Sequence, residues 1–220
     1  MSIKAKIDKL RETVPAEVKI VAVSKFHPAD MIREAYDDGQ RIFGESRVQE
    51  LVEKYEMLPA DIEWHFIGNL QRNKVKNLAP FVSLIHSLDS DKLMREIEKH
   101  ASANNRKIPC LLQIHIADED TKSGFSPDEC RQFLAGGTWR QHTHVQLAGV
   151  MGMATFTDDE GKIRREFRLL KSLFDEFKER YFLNDPAFRE ISMGMSDDFR
   201  IAVEEGSTMI RVGTLIFGTR

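Results

Sequence analysis

The sequence predicts an α/β fold: one (β/α)8 TIM-like barrel with an extra amino-terminal helix, spanning residues 1–220 as a single domain. Three observations point there. Eight short apolar runs of strand length alternate with segments of helical periodicity. The inner runs, such as Ile20-Val-Ala-Val23, are apolar without alternation, as strands covered on both faces are. Helical crossovers between such strands are right-handed and force parallel pairing, and an eightfold alternation closes most economically on itself. An open doubly wound sheet is the competing arrangement; it is disfavoured because no Gly-x-Gly-x-x-Gly follows the first strand.

Ile3, Ile7 and Leu10 recur at helical spacing, predicting an amphipathic helix over residues 2–13 that ends before Pro15. The first strand then runs to Ser24-Lys25, with Pro28 just beyond. A helix over residues 28–36 has Pro28 near its first turn and Gly39 past its end. Residues 40–44 read as the second strand. Residues 47–57 read as a helix with Val48, Leu51, Val52 and Tyr55 on its apolar face. The third strand is 62–67, closed by Gly68-Asn69, and a helix over 70–78 follows. The fourth strand is 81–86, and Asp89 or Ser90 caps a helix to about Ala103. The fifth strand is 108–116. Ser126, Pro127 and Glu129 then supply an N-cap, a proline at the first helical position and a capping box. The sixth strand is 145–150, followed by a long helix over 160–182 with Phe167, Leu170, Phe174 and Phe177 along one stripe. The seventh strand is 189–193, a helix over 196–205 ends at Gly206, and the eighth strand is 208–212.

Composition bounds the function. With 220 residues, 41% hydrophobic and 30% charged, the chain reads as an ordinary soluble globule. A net charge of −3 with interspersed signs predicts neither a nucleic-acid nor a membrane partner. The first ten residues are too charged for a secretory core, and no run approaches a bilayer-spanning length. Two cysteines make no disulfide framework; Cys110, in an apolar run, is expected in the core. A cytoplasmic location is expected. His100, His142 and His144 are expected to be solvated and receive no role.

Closure would bring all eight carboxyl strand ends to one face, where this architecture places working groups. That ring would hold Lys25, Gly44-Glu45-Ser46, Gly68-Asn69, His86-Ser87, His115, Met151 to Met153, Gly194-Met-Ser196 and Gly213-Thr214. It has no paired carboxylates with separable acid and base roles. Its histidines stand singly, so no metal site is expected. A lysine rooted at the end of an inner strand is partly desolvated. That disfavours the ammonium, lowers its pKa and frees the amine to attack a carbonyl. The plainer alternative is a lysine marking the strand's exit into water. Ser196 opening a helix and Gly213-Thr214 after the eighth strand are the two loops where a phosphate cup recurs in this architecture. Each also reads as a simple cap or terminator, and Asp197 and Asp198 would repel an anion unless turned away. Arg211, charged within an inner strand, needs a partner: a structural ion pair, or a ligand ring nitrogen. An amine, an anion cup and a planar donor together suit an aldehyde-bearing phosphorylated heterocycle.

The segments Val21-Ala-Val-Ser-Lys25, Phe43-Gly-Glu45 with Val48-Gln-Glu50, and His65-Phe-Ile-Gly68 with Leu70-Gln71 and Asn73-Lys74 form a recognisable set. So do Ser87-Leu-Asp89, Lys122-Ser-Gly-Phe125, Gly194-Met-Ser-Asp197, Gly206-Ser-Thr208 and Arg211-Val-Gly-Thr214. Together the chain resembles the pyridoxal phosphate homeostasis protein family, of the alanine racemase N-terminal-domain type. The resemblance implies pyridoxal 5′-phosphate (PLP) held as a Schiff base on Lys25. It also implies that Ser196, Gly213 and Thr214 hold the phosphate, that Arg211 faces the pyridine nitrogen and that Met151 packs nearby. Two positions depart from the family's pattern: Ser46 and His115 stand where asparagine is common.

Family members look like racemase halves without established catalysis, and the residues give a reason. An arginine only donates, so it resists protonation of the pyridine nitrogen and leaves the ring a weaker electron sink. Racemisation needs a second acid/base on the opposite face. Similar racemases use a tyrosine from an added β domain, whereas this chain ends at Arg220, and Tyr36, Tyr55 and Tyr181 fall within predicted helices. The expectation is a monomeric, non-enzymatic carrier of PLP in intracellular vitamin B6 homeostasis, with PLP-dependent apoenzymes as candidate recipients. A slow amino-acid racemase or related enzyme is the alternative.

Overall fold

Val21 and Ala22 are fully buried because β1 (Lys19–Val23) is flanked on both edges. It pairs in parallel with β2 (Ile42–Glu45) on one side and β8 (Met209–Val212) on the other. Between them come β3 (Glu63–Phe66), β4 (Leu84–Leu88), β5 (Ile108–Gln113), β6 (Val145–Met151) and β7 (Glu190–Ser192). Each strand pairs with the next in sequence, so the eight close into a parallel barrel. The computed structural model describes residues 1–118 and 123–218. Lys122 of the Lys122–Phe125 match and the final Arg220 lie outside the described residues.

Side-chain alternation divides the apolar residues between two cores. The small inner one, within the barrel, contains Val21, Leu84, Leu111, Ala148, Met151 and Met209. The large outer one lies between strands and helices and includes Ala22, Phe43, Trp64, Phe66 and Ile85. The helices that cover it are α1 (Ile3–Thr13), α2 (Ala29–Asp37), α3 (Val48–Met57), α4 (Val75–Leu78) and α5 (Asp91–Ala103). They continue with α6 (Pro127–Gly136), α7 (Glu160–Tyr181), α8 (Phe199–Glu204) and α9 (Thr214–Phe217). The extra helix α1 buries Ile3, Ile7 and Leu10 and packs against α2 and α9. Helix α6 begins as its sequence dictates: Ser126 accepts the Glu129 N–H at 3.2 Å, and Glu129 accepts the Ser126 N–H at 2.7 Å. Along α7, Phe167, Leu170 and Phe177 are buried, while Phe174 is partly buried against Phe188.

Four local expectations are corrected. Strand β4 occupies Leu84–Leu88 rather than 81–86, because Phe81 and Val82 both donate back to the Leu78 carbonyl and finish the preceding helix. The Phe81 ring then stacks on Tyr55 at 3.9 Å. Residues 70–78 are not one helix: a 3-10 turn over Arg72–Lys74 precedes α4. Helix α8 starts at Phe199, not Ser196, because the Asp198 carboxylate accepts the Met195 N–H at 2.5 Å and closes a turn first. His100 and His144 are not simply solvated: they contact Glu96 and Glu98, each at 2.9 Å. At the β6–β7 seam, Gly149 has φ +149°, and a Cβ there would lie 1.8 Å from the Glu190 carbonyl. Only glycine lets these two backbones meet.

Candidate functional site

The candidate residues lie at the carboxyl strand ends. Lys25 lies two residues past β1 and is half-buried. Ser24 still donates to the Gly44 carbonyl at 3.0 Å, so the chain keeps strand register to that point. The Ser24 hydroxyl turns to the helix side, donating to Glu45 Oε1 at 2.6 Å. Alternation then puts Lys25 on the side of Val21, the barrel interior.

The backbone is tethered on both sides of Lys25 by a cluster that the sequence analysis missed. Lys54 on α3 is buried, and its Nζ donates to the Ser24 carbonyl at 2.8 Å. It also donates to Glu45 Oε1 at 2.6 Å and Glu50 Oε1 at 2.7 Å. Glu50 in turn accepts the Phe26 N–H at 2.5 Å. Phe26 has φ +67°, a left-handed conformation that costs a non-glycine residue about 1 kcal/mol or more. The Glu50 bond and the Arg47 guanidinium, 4.5 Å over the Phe26 ring, hold it there. Burial pushes the Glu45 carboxyl above its ordinary range, while Lys54 and Ser24 pull it back. Glu45 Oε2 has no hydrogen-bond partner among the described residues. The signal was present at the i, i+4 spacing of Glu50 and Lys54, but that spacing is equally common on solvated helix faces.

Arg211 on β8 sits opposite Val21 in the β1–β8 register and is 5% exposed. Nη1 donates to Ser192 Oγ at 2.6 Å and Nη2 to the Gly152 carbonyl at 3.2 Å. Burial lowers its pKa to about 10, opposed by Asp198, so the guanidinium stays charged at neutral pH. No carboxylate among the described residues comes within 4.0 Å, which removes the ion-pair reading. Two of its five N–H groups bond to described residues, and three remain.

The two loops expected to form an anion cup do leave donors available. The N–H groups of Ser196, Asp197, Gly213 and Thr214 donate to no described residue. Ser196 is half-buried in the turn before α8, Gly213 is half-buried and Thr214 is exposed. A Cβ on Gly213 would lie 3.0 Å from the Val23 carbonyl, so glycine permits close contact between the ends of β8 and β1. Asp198 is buried and turned onto Met195 N–H; burial raises its carboxyl, whereas Asp197 is exposed. Met151 ends β6, 2% exposed and in the inner core. Of the two departures, Ser46 has its carbonyl packed against Gly68, where a Cβ would lie 2.2 Å away. His115 is half-buried, with its N–H on the Phe125 carbonyl at 2.8 Å. Tyr36, Tyr55 and Tyr181 all lie within helices, α2, α3 and α7.

A closed parallel barrel with a strand-end lysine and donor loops after β7 and β8 defines a protein of the alanine racemase N-terminal-domain class, and that family description matches residues 1–220. The chain is 41% identical over 203 residues to a pyridoxal phosphate homeostasis protein of Aquifex aeolicus, covering 92% of this chain and 87% of the relative. It is 37% identical over 213 residues to that of Escherichia coli, covering 94% and 87%. PipY of Synechococcus elongatus, solved with PLP bound, superposes with a TM-score of 0.87 at 36% identity, covering 99% of this chain and 100% of PipY. The chain belongs to the pyridoxal phosphate homeostasis protein family. Alanine racemase of Streptomyces lavendulae shares the fold at 19% identity and TM-score 0.75, covering 99% of this chain and 57% of the racemase.

Proposed function

We propose that the chain is a non-catalytic carrier of pyridoxal 5′-phosphate, holding the cofactor as a Schiff base on Lys25. One arrangement carries this reading: a strand-end lysine whose backbone is tethered on both sides, at the same barrel mouth as two loops whose N–H groups donate to no described residue, beside buried Arg211. The residues fit the cofactor. Ser196, Asp197, Gly213 and Thr214 present donors suited to a phosphate. Arg211 presents N–H groups to a ring nitrogen, and Met151 supplies an apolar wall. When bound, the cofactor supplies an aldehyde for an amine and a ring that withdraws electrons. Arg211 stays a cation and cannot supply a proton to the ring nitrogen, which blunts that withdrawal. No tyrosine at a strand end offers a second acid/base. The carrier acts as a monomer in the cytoplasm, exchanging PLP with apoenzymes.

Purified protein should be yellow, and Lys25→Ala should abolish that absorption band while leaving the fold intact. Retention of the band would remove Lys25 from the role. Arg211→Gln should weaken retention of the cofactor or shift the band; an unchanged spectrum and affinity would make Arg211 structural. Sustained formation of the D-enantiomer from L-alanine or L-serine would replace the carrier by a racemase.

A further inference from the structure

Two buried histidines inside the barrel have no part in the site described above. His65 on β3 and His86 on β4 approach edge to edge, with His86 Nε2 3.1 Å from His65 Nδ1. His86 Nδ1 lies 3.0 Å from Ser192 Oγ, the oxygen to which Arg211 Nη1 donates at 2.6 Å. All four side chains are 0% to 5% exposed. His65 also lines an open cavity of about 360 Å³ at the opposite mouth of the barrel, beside Lys19 and Glu190.

The direction of this chain follows from its arginine end. A guanidinium has no acceptor, so Ser192 Oγ accepts from Arg211. The Ser192 hydrogen then has one acceptor among the described residues, His86 Nδ1. His86 therefore carries its proton on Nε2 and donates to His65 Nδ1. His65 is left with its own proton on Nε2, which bonds to no described residue and serves the cavity that His65 lines. We propose that Ser192, His86 and His65 form a one-way hydrogen-bond chain that positions Arg211 against the cofactor ring, with the amino-terminal cavity as its outlet to water. The cofactor end of this proposal rests on PLP binding at Lys25; the chain itself does not.

Burial, reinforced by neighbouring cations, keeps the chain neutral. Burial, then Lys19, pushes His65 down to about 3. Burial, then His65 and Arg211, holds His86 well below its ordinary value. Asp198 is the acidic group that acts on Arg211. A protonated imidazole at His86 would donate from both nitrogens and reverse the Ser192 bond.

Nitrogen NMR of the histidine side chains, on cofactor-free full-length protein from about pH 5.5 to 8.5, should show two neutral Nε2–H rings that do not titrate. An Nδ1–H ring at His86, or titration of either ring in that range, overturns the chain. Ser192→Ala should convert His86 to a tautomer mixture. In the loaded protein it should shift the absorption band or lower cofactor retention several-fold. Ser192→Thr, which keeps the hydroxyl, should restore both. A fixed tautomer in Ser192→Ala overturns the chain, and an unaltered band and retention overturn the positioning role. The wild-type spectra decide the chain even if the alanine variant does not fold. Because the tautomers are read without cofactor, failure of PLP to bind Lys25 sinks the carrier reading alone.

Discussion

At the residue scale, buried Lys54 holds the backbone immediately before Lys25. It satisfies the Ser24 carbonyl and two carboxylates at once, with 7% of its side chain exposed. Three charges in so dry a place are stable only as a set, because removing one partner leaves another uncompensated. Lys54→Met keeps the stem's volume but strands Glu45, whose Oε2 has no hydrogen-bond partner among the described residues. Urea denaturation should register a loss of about 3–5 kcal/mol. It should also release the Ser24 carbonyl and loosen the Lys25 segment, so cofactor retention should fall with stability. A change under about 1 kcal/mol would mean that solvent reaches the pair and screens it.

At the element scale, barrel closure depends on how near neighbouring strands come. Strands β6 and β7 meet at Gly149, whose φ of +149° and 1.8 Å approach to the Glu190 carbonyl exclude any side chain. Gly149→Ala combines strain with a backbone collision and should cost at least about 3 kcal/mol. Thermal unfolding would show it, and a Tm within a few degrees of the parent would mean that the seam can open. Strand β7 is three residues long, so it has little pairing to spare. It also carries Ser192, so an opened seam would displace the Arg211 contact as well.

At the scale of the whole molecule, the interior histidines tie global stability to pH. Both imidazoles are neutral when folded, and both protonate below about pH 6.5 once the chain unfolds. The unfolded chain then binds more protons, so stability rises with pH in this window. The contribution is fully present above about pH 6.5 and is lost as pH falls toward about 3 for His65. At pH 5 the His65 ring lowers stability by ~2 kcal/mol relative to neutral pH, and His86 acts in the same direction. Urea midpoints at pH 7 and 5 measure this, and equal midpoints would mean that the rings are protonated in the folded state.

Much of this molecule was legible from local pattern. The eight strands, the amphipathic α1, the capping box of α6, the strand-end positions of Lys25 and Gly213 and the place of Arg211 within β8 each depend on residues within a few positions of one another. Helical and strand periodicity, caps and prolines act over that range, which is why they survive reading in one dimension. Their boundaries were less legible. Phe81 and Val82 are apolar enough for a strand, but the Leu78 carbonyl claims both N–H groups. What only the tertiary structure decided was the fate of polar side chains of ambiguous pattern. Sequence pattern leaves Lys54, His65 and His86 undecided between solvent and interior. Their burial depends on the register of β3 against β4 and on where α3 lands over β1 and β2. Such contacts join residues 21 and 106 positions apart, and no local preference encodes them; they arise once the barrel closes.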